Sequence, residues 1–135
     1  LLEVLADYPE IPAWITMSAQ DGASTCAGQG IGHLAELVSA APSVVAIGVN
    51  CTKPEYVTSL LKKLASKGDL PLVVYPNAGR VWDGENMCWI GQGHETLPTP
   101  TIAEWVKAGA ALVGGCCGLG PSAIRQLDQD LSALR

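Results

Sequence analysis

The sequence predicts an α/β fold built on a parallel sheet, and three observations carry that expectation. Apolar runs of strand length alternate with stretches of helical periodicity, in a strand-loop-helix order met four times. One run, Val44 to Val49, is continuously apolar, as a strand buried on both faces reads. The segments after the strands are longer or richer in special residues than those after the helices, so chemistry concentrates at the C-terminal ends of the strands.

In order, Leu1 to Pro9 reads as the last turns of a helix ended by a proline, as if the chain were part of something longer. Ile11 to Met17 is rich in β-branched and aromatic residues and reads as the first strand. Ser18 to Gly30 is polar and Gly-rich, a loop. Ile31 to Ala41 has apolar residues at helical spacing, and Pro42 stops it. The second strand, Val44 to Val49, ends at Asn50-Cys51-Thr52, a formal glycosylation sequon that reads as a strand end instead. Pro54 opens a helix with Val57, Leu60, Leu61 and Leu64 on its inner stripe, and Gly68 closes it. Leu70 to Tyr75 is the third strand. Pro76 to Pro98 is long and irregular, the kind of loop that is usually functional or mobile. Thr99 to Gly109 is a helix, Ala110 to Gly115 the fourth strand, and Pro121 to Leu134 the last helix. Four such units make half of a (β/α)8 barrel, whose full length is about 250 residues. A four-stranded open sheet is the alternative.

Composition narrows the function classes. The length of 135 residues fits one domain. The chain is 48% hydrophobic and 16% charged, with a mean hydropathy of +0.25, which suits a well-filled core or a surface that something else covers. A net charge of −5, with Lys62, Lys63 and Lys67 on one helical stretch, argues against nucleic acid as a partner. No apolar run approaches the ~20 residues that span a bilayer. Five cysteines without a secretory signal point to a reducing, cytoplasmic setting, with free thiols or metal ligation rather than a disulfide framework.

The cysteines carry the chemistry. Cys51 follows the second strand, and Cys116 and Cys117 follow the fourth, so all three belong to one rim of a parallel sheet. The adjacent pair is poorly placed to bridge itself. Three soft thiolates suit zinc and leave a fourth position for a substrate. The alternative is that these are small buried hydrophobes, as free cysteines often are.

The segments Gly48-Val49-Asn50-Cys51 and Gly114-Gly115-Cys116-Cys117-Gly118, with Pro121 beyond and Val74-Tyr75-Pro76-Asn77-Ala78-Gly79 between, resemble the homocysteine S-methyltransferase family. The resemblance runs in order from the strand holding Trp14 to the last helix. It implies that residues 1–135 are the C-terminal half of a (β/α)8 TIM barrel, strands five to eight, as a partial domain. It also implies a catalytic zinc held by Cys51, Cys116 and Cys117, and methyl transfer to the thiolate of homocysteine. The Tyr75-Pro76-Asn77-x-Gly79 segment is most similar to the branch using S-methylmethionine or S-adenosylmethionine. Gly118-Leu119-Gly120 departs from that branch, which often has Arg-Thr-Thr there. It is closer to the betaine-dependent enzymes and the cobalamin-dependent methionine synthase module, so the donor is open.

The thiolate is the nucleophile, and zinc in such a site deprotonates a bound thiol. Protein groups then mainly position two substrates and exclude water. Asn50 and Asn77, at strand ends on the same rim, are candidates for binding substrate polar groups, with turn and cap chemistry as the alternative. His33, His94, Cys26 and Cys88 read as surface or accessory residues, and the four tryptophans as core or loop anchors. The family's residues that fix the homocysteine amino and carboxylate groups come largely from the first half of the barrel. A missing N-terminal half, or self-association, is therefore expected beside the open outer strands at Ile11 and Ala110. An inactive zinc-binding fragment is the second function class.

Overall fold

The computed structural model describes residues 1–38 and 41–134. A short helix α1 (Leu2–Ala6) precedes β1 (Ala13–Met17), α2 (Ile31–Val38), β2 (Val44–Asn50), α3 (Pro54–Ala65) and β3 (Leu72–Tyr75). A hairpin follows, β4 (Val81–Asp83) and β5 (Cys88–Ile90), then α4 (Thr99–Lys107), β6 (Ala110–Val113) and α5 (Pro121–Ala133). The helix expected to run to Ala41 is described only to Val38, and residues 39–40 lie outside the described residues.

The main sheet is parallel, in the order β1-β2-β3-β6. Each crossover steps one strand over in the same direction, and each helix packs beside the next. Right-handed crossovers that never reverse direction put every helix on one face. The register shows it. The rows Ile15–Ile47–Leu72–Ala110 and Met17–Val49–Val74–Val113 point to the helices. They meet Ile31 and Val38 of α2, Leu60 and Leu61 of α3, Trp105 of α4 and Leu127 of α5 in one apolar cluster. Pro54 at the start of α3 and Pro121 at the start of α5 suit a helix's first turn, where no backbone donor is lost.

Among the described residues the opposite face carries no helix. Its rows are Trp14–Ala46 and Thr16–Gly48–Val73–Leu112. Trp14 is 56% exposed and Leu112 46%. Trp14, expected as a core or loop anchor, is therefore an exposed strand residue, because it sits on the uncovered face. β1 and β6 are the open edges, as their place in the chain order implied.

Two features were not legible in the sequence. The segment 76–98 is not wholly irregular. Val81 pairs with Ile90 and Trp82 with Trp89 across the β4–β5 hairpin, and the two indoles meet edge-on with centroids 5.3 Å apart. Asp83 closes its turn by accepting the Glu85 and Asn86 amides and the Asn86 side chain, and the Asn86 bonds hold its carboxyl below the usual range. On the helical side, Lys67 donates to Glu36 at 2.8 Å and holds that carboxyl low as well, tying α2 to the segment after α3.

Gly48 is the tightest point of the sheet. A Cβ there would overlap the carbonyl oxygen of Val73. On the same face the Tyr75 hydroxyl and Thr16 Oγ1 are 2.6 Å apart, a bond that spans β2 where its residue in register with Thr16 is Gly48. Gly48→Ala should therefore destabilise the fold by about 1–3 kcal/mol, the usual range for overpacking. Urea denaturation of the reduced protein checks this; an unchanged midpoint would show that the strands part without cost.

Candidate metal centre

The site sits where three neighbouring strands end together. β2 runs out at Asn50, and Cys51 then takes a left-handed conformation, φ 44°. For a residue with a side chain this costs of order 1–3 kcal/mol, so the surroundings must hold it. β6 runs out at Val113, and Gly114-Gly115 lead to Cys116 and Cys117. Gly118 turns the chain at φ 82°, and a Cβ on it would come 2.7 Å from that of Ala78, so a glycine is required twice over.

The exit of β3 lies between these two loops and bonds to both. Tyr75 O accepts from Cys51 N at 3.0 Å, and Asn77 N donates to Thr52 O at 3.1 Å. On the other side Gly114 N donates to Val74 O, Cys116 N to Pro76 O and Ala78 N to Cys117 O, each at 2.8 Å. His94 N donates to Ala78 O at 2.8 Å, anchoring the far end of the hairpin segment at the same rim.

The three expected ligands converge. The Sγ atoms of Cys51, Cys116 and Cys117 all lie within 4.8 Å of one another. Cys51 and Cys116 are half-buried and Cys117 is exposed. Cys117 Sγ stands 3.5 Å from that of Cys51 and 3.8 Å from that of Cys116. Cys51 and Cys116 are joined by a disulfide across a Cα separation of 5.6 Å, well inside the range such bridges use. The sequence favoured free thiols or metal ligation over disulfides, and here the structure differs. The physical reason is proximity: thiols close enough to share one ion are close enough to bond to each other. The two uses compete, because a metal needs thiolates and oxidation removes them. In the reduced state the donor set fits a soft, tetrahedral ion with one position open to substrate. Cys26 and Cys88 are exposed free thiols outside this cluster.

The two asparagines are in different situations. Asn77 is buried, and both ends of its amide bond to backbone: Nδ2 donates to Cys51 O at 3.1 Å, and Oδ1 accepts from Gly79 N at 2.8 Å. Asn50 is half-buried, and its Nδ2 lies 3.4 Å from Ser18 Oγ. Sequence reasoning missed Thr52 and Tyr75. Thr52 is buried next to Cys51. Tyr75 helps line a concavity of about 440 Å³ with Trp14, Leu112 and Gly114 on the uncovered face. Thr52 meets Ala19 and Tyr75 meets Thr16 from far along the chain, and no local pattern marks those contacts.

Three thiols converge at the C-terminal rim of a parallel sheet and define an α/β module with a cluster that could hold a metal ion. Comparison with known proteins gives the family. The family model for homocysteine S-methyltransferase matches residues 1–131, and the chain belongs to that family. Homocysteine S-methyltransferase 3 of Arabidopsis thaliana is 40% identical over 126 residues, covering 91% of this chain and 36% of that protein. Homocysteine S-methyltransferase YbgG of Bacillus subtilis is 32% identical, with 94% and 40% covered. Among solved structures, the metallated form of the homocysteine methyltransferase MmuM from Escherichia coli superposes with a TM-score of 0.76 at 33% identity, covering 95% of this chain and 38% of that one. Its oxidized form gives 0.75 at 31% identity, with 99% and 40% covered. The chain thus spans about two fifths of the length of these relatives. Among the described residues no helix is long and apolar enough to cross a membrane.

The disulfide makes a counting prediction. Metal-free protein oxidised in air and then denatured without reductant should show three reactive thiols, Cys26, Cys88 and Cys117, and after reduction all five. Ellman titration reads this directly; five thiols before reduction would mean that Cys51 and Cys116 are not bonded in solution.

Proposed function

We propose that this chain is the metal-bearing, C-terminal half-barrel of a zinc-dependent homocysteine S-methyltransferase, residues 1–135 forming strands five to eight. The observation that carries the reading is the convergence of Cys51, Cys116 and Cys117 within 4.8 Å at the strand ends of a chain in this family. The half-barrel is supported by the one-directional strand order, the helices on a single face and the two open edges. In a closed barrel the uncovered face with Trp14 and Leu112 would turn inward, against an N-terminal half or a second copy. Neither nucleic acid nor membrane is a proposed partner, and the proposed setting is the reducing cytoplasm, where Cys51 and Cys116 are reduced and free to bind a metal as thiolates.

Zinc bound there would act as a Lewis acid that makes a thiol in its fourth position a thiolate at neutral pH. The chain's own residues do the rest. Exposed Cys117 marks the side open to substrate. The three cysteine thiolates give the centre net negative charge, which keeps the homocysteine sulfur electron-rich. The homocysteine sulfur would attack the methyl carbon of S-methylmethionine or S-adenosylmethionine in line, its new S–CH3 bond replacing the one broken in the donor, which would leave as a neutral thioether. Asn50, half-buried at the rim, is the better placed of the two asparagines to meet substrate polar groups. Asn77, committed to backbone on both sides, contributes by position. Gly118-Leu119-Gly120 favours a second reading for the donor, betaine or a methylcobalamin-bearing partner. The share of the relatives' length that the chain spans favours another, a zinc-binding fragment that is inactive alone.

Protein purified under reductant and without chelator should carry about one equivalent of zinc; below about a third, the zinc reading fails. A full-length family polypeptide carrying these residues should methylate homocysteine from S-methylmethionine or S-adenosylmethionine, and Cys117→Ser should cut that rate by at least about 100-fold. A zinc-loaded protein inactive with both sulfonium donors and with betaine would end the enzymatic reading for these three.

A further inference from the structure

Cys51 is held in an unfavourable conformation, and a single buried hydroxyl bridges across it. Thr52 is 1% exposed. Its Oγ1 donates to the carbonyl of Asn50 at 2.9 Å, closing a turn whose central residue is Cys51 at φ 44°. The same oxygen accepts the amide of Ala19, also at 2.9 Å. One hydroxyl therefore ties the residue before the cysteine, the residue after it and the loop that leaves β1. The backbone groups of Cys51 and Thr52 are held separately, by Tyr75 at the end of β3 and Asn77 just beyond it. Those bonds fix where the turn lies. The Thr52 hydroxyl is the one side-chain bond described that spans Cys51 from Asn50 to position 52, and so bears directly on the direction of its Cα–Cβ bond.

We propose that Thr52 is a positioning residue for the metal centre: its hydroxyl locks Cys51 in the left-handed conformation that brings its sulfur to Cys116 and Cys117. This rests on the reading of the three cysteines as metal ligands. A residue acting this way, one step removed from the ion, typically contributes 10- to 100-fold to metal affinity. Valine matches threonine in shape but lacks the hydroxyl. It would leave Asn50 O and Ala19 N without this partner and free Cys51 to relax toward ordinary backbone angles.

The test is zinc affinity of the reduced chain, measured by competition with a chromophoric chelator, together with the thiolate-to-metal charge-transfer band of the cobalt(II) form. Thr52→Val should weaken zinc binding by about 10- to 100-fold and lower the cobalt band, and Thr52→Ser, which keeps the hydroxyl, should restore both. A purely structural threonine would shift the melting temperature of the metal-free protein and leave the affinity alone. T52V with wild-type zinc affinity, or T52S as weak as T52V, overturns the proposal while the metal centre stands. A wild-type chain that binds no zinc overturns both. If T52V loses its fold by circular dichroism, T52S is compared with T52A: about 10-fold tighter binding by the serine variant upholds the hydroxyl's role, and equal binding ends it.

Discussion

The backbone of residues 74–78, where β3 leaves the sheet, is what the rest of the site depends on. Its carbonyls at Val74, Tyr75 and Pro76 accept amides from Gly114, Cys51 and Cys116, and its amides at Asn77 and Ala78 donate to Thr52 and Cys117. Two cysteine-bearing loops far apart in sequence are thus stitched to one middle strand. Each bond is ordinary, worth roughly 1 kcal/mol net. Together they extend the parallel ladder past the strand ends and fix the relative height of the thiols. Parallel strands make this possible, because all three C-terminal ends emerge on the same side.

Small residues let the stitching close. Gly48 allows the β2 and β3 backbones to approach, and Gly118 turns where a side chain would strike Ala78. Bulk is kept for the helix side, where Leu60, Leu61 and Trp105 fill the core. The sheet is thus finished on one face and unfinished on the other, where Trp14 and Leu112 remain exposed and the Thr16–Tyr75 hydroxyl pair is the polar exception. A parallel sheet is normally covered on both sides, and here the helices cover one.

At the rim, geometry serves two chemistries. The placement that would let three sulfurs share an ion also brings Cys51 and Cys116 to bonding distance. Which one prevails depends on redox conditions and on metal, not on the fold, since the Cα separation accommodates both. Cys117, adjacent to Cys116 in sequence, stays outside the bridge, with its Sγ 3.5 Å from that of Cys51.

By itself the sequence determined the alternation of strands and helices, the shared rim of Cys51, Cys116 and Cys117, and the open edges at the first and last strands. These follow from local periodicity and from the rule that parallel strands end on one side, which need no knowledge of distant contacts. Helix starts at Pro54 and Pro121 were legible for the same reason, as was the family through its cysteine segments. Tertiary structure decided the rest. The β4–β5 hairpin forms from a segment with weak periodicity, through cross-strand pairing of two tryptophans. Trp14 lies exposed because burial depends on what covers a face, and local pattern does not say. The Cys51–Cys116 bridge, the bond from the Asn77 amide to the Cys51 carbonyl, and the bond from the Ala19 amide to the Thr52 hydroxyl all join residues distant in the chain. Such contacts are set by sheet register and loop closure, and a one-dimensional pattern carries no record of them.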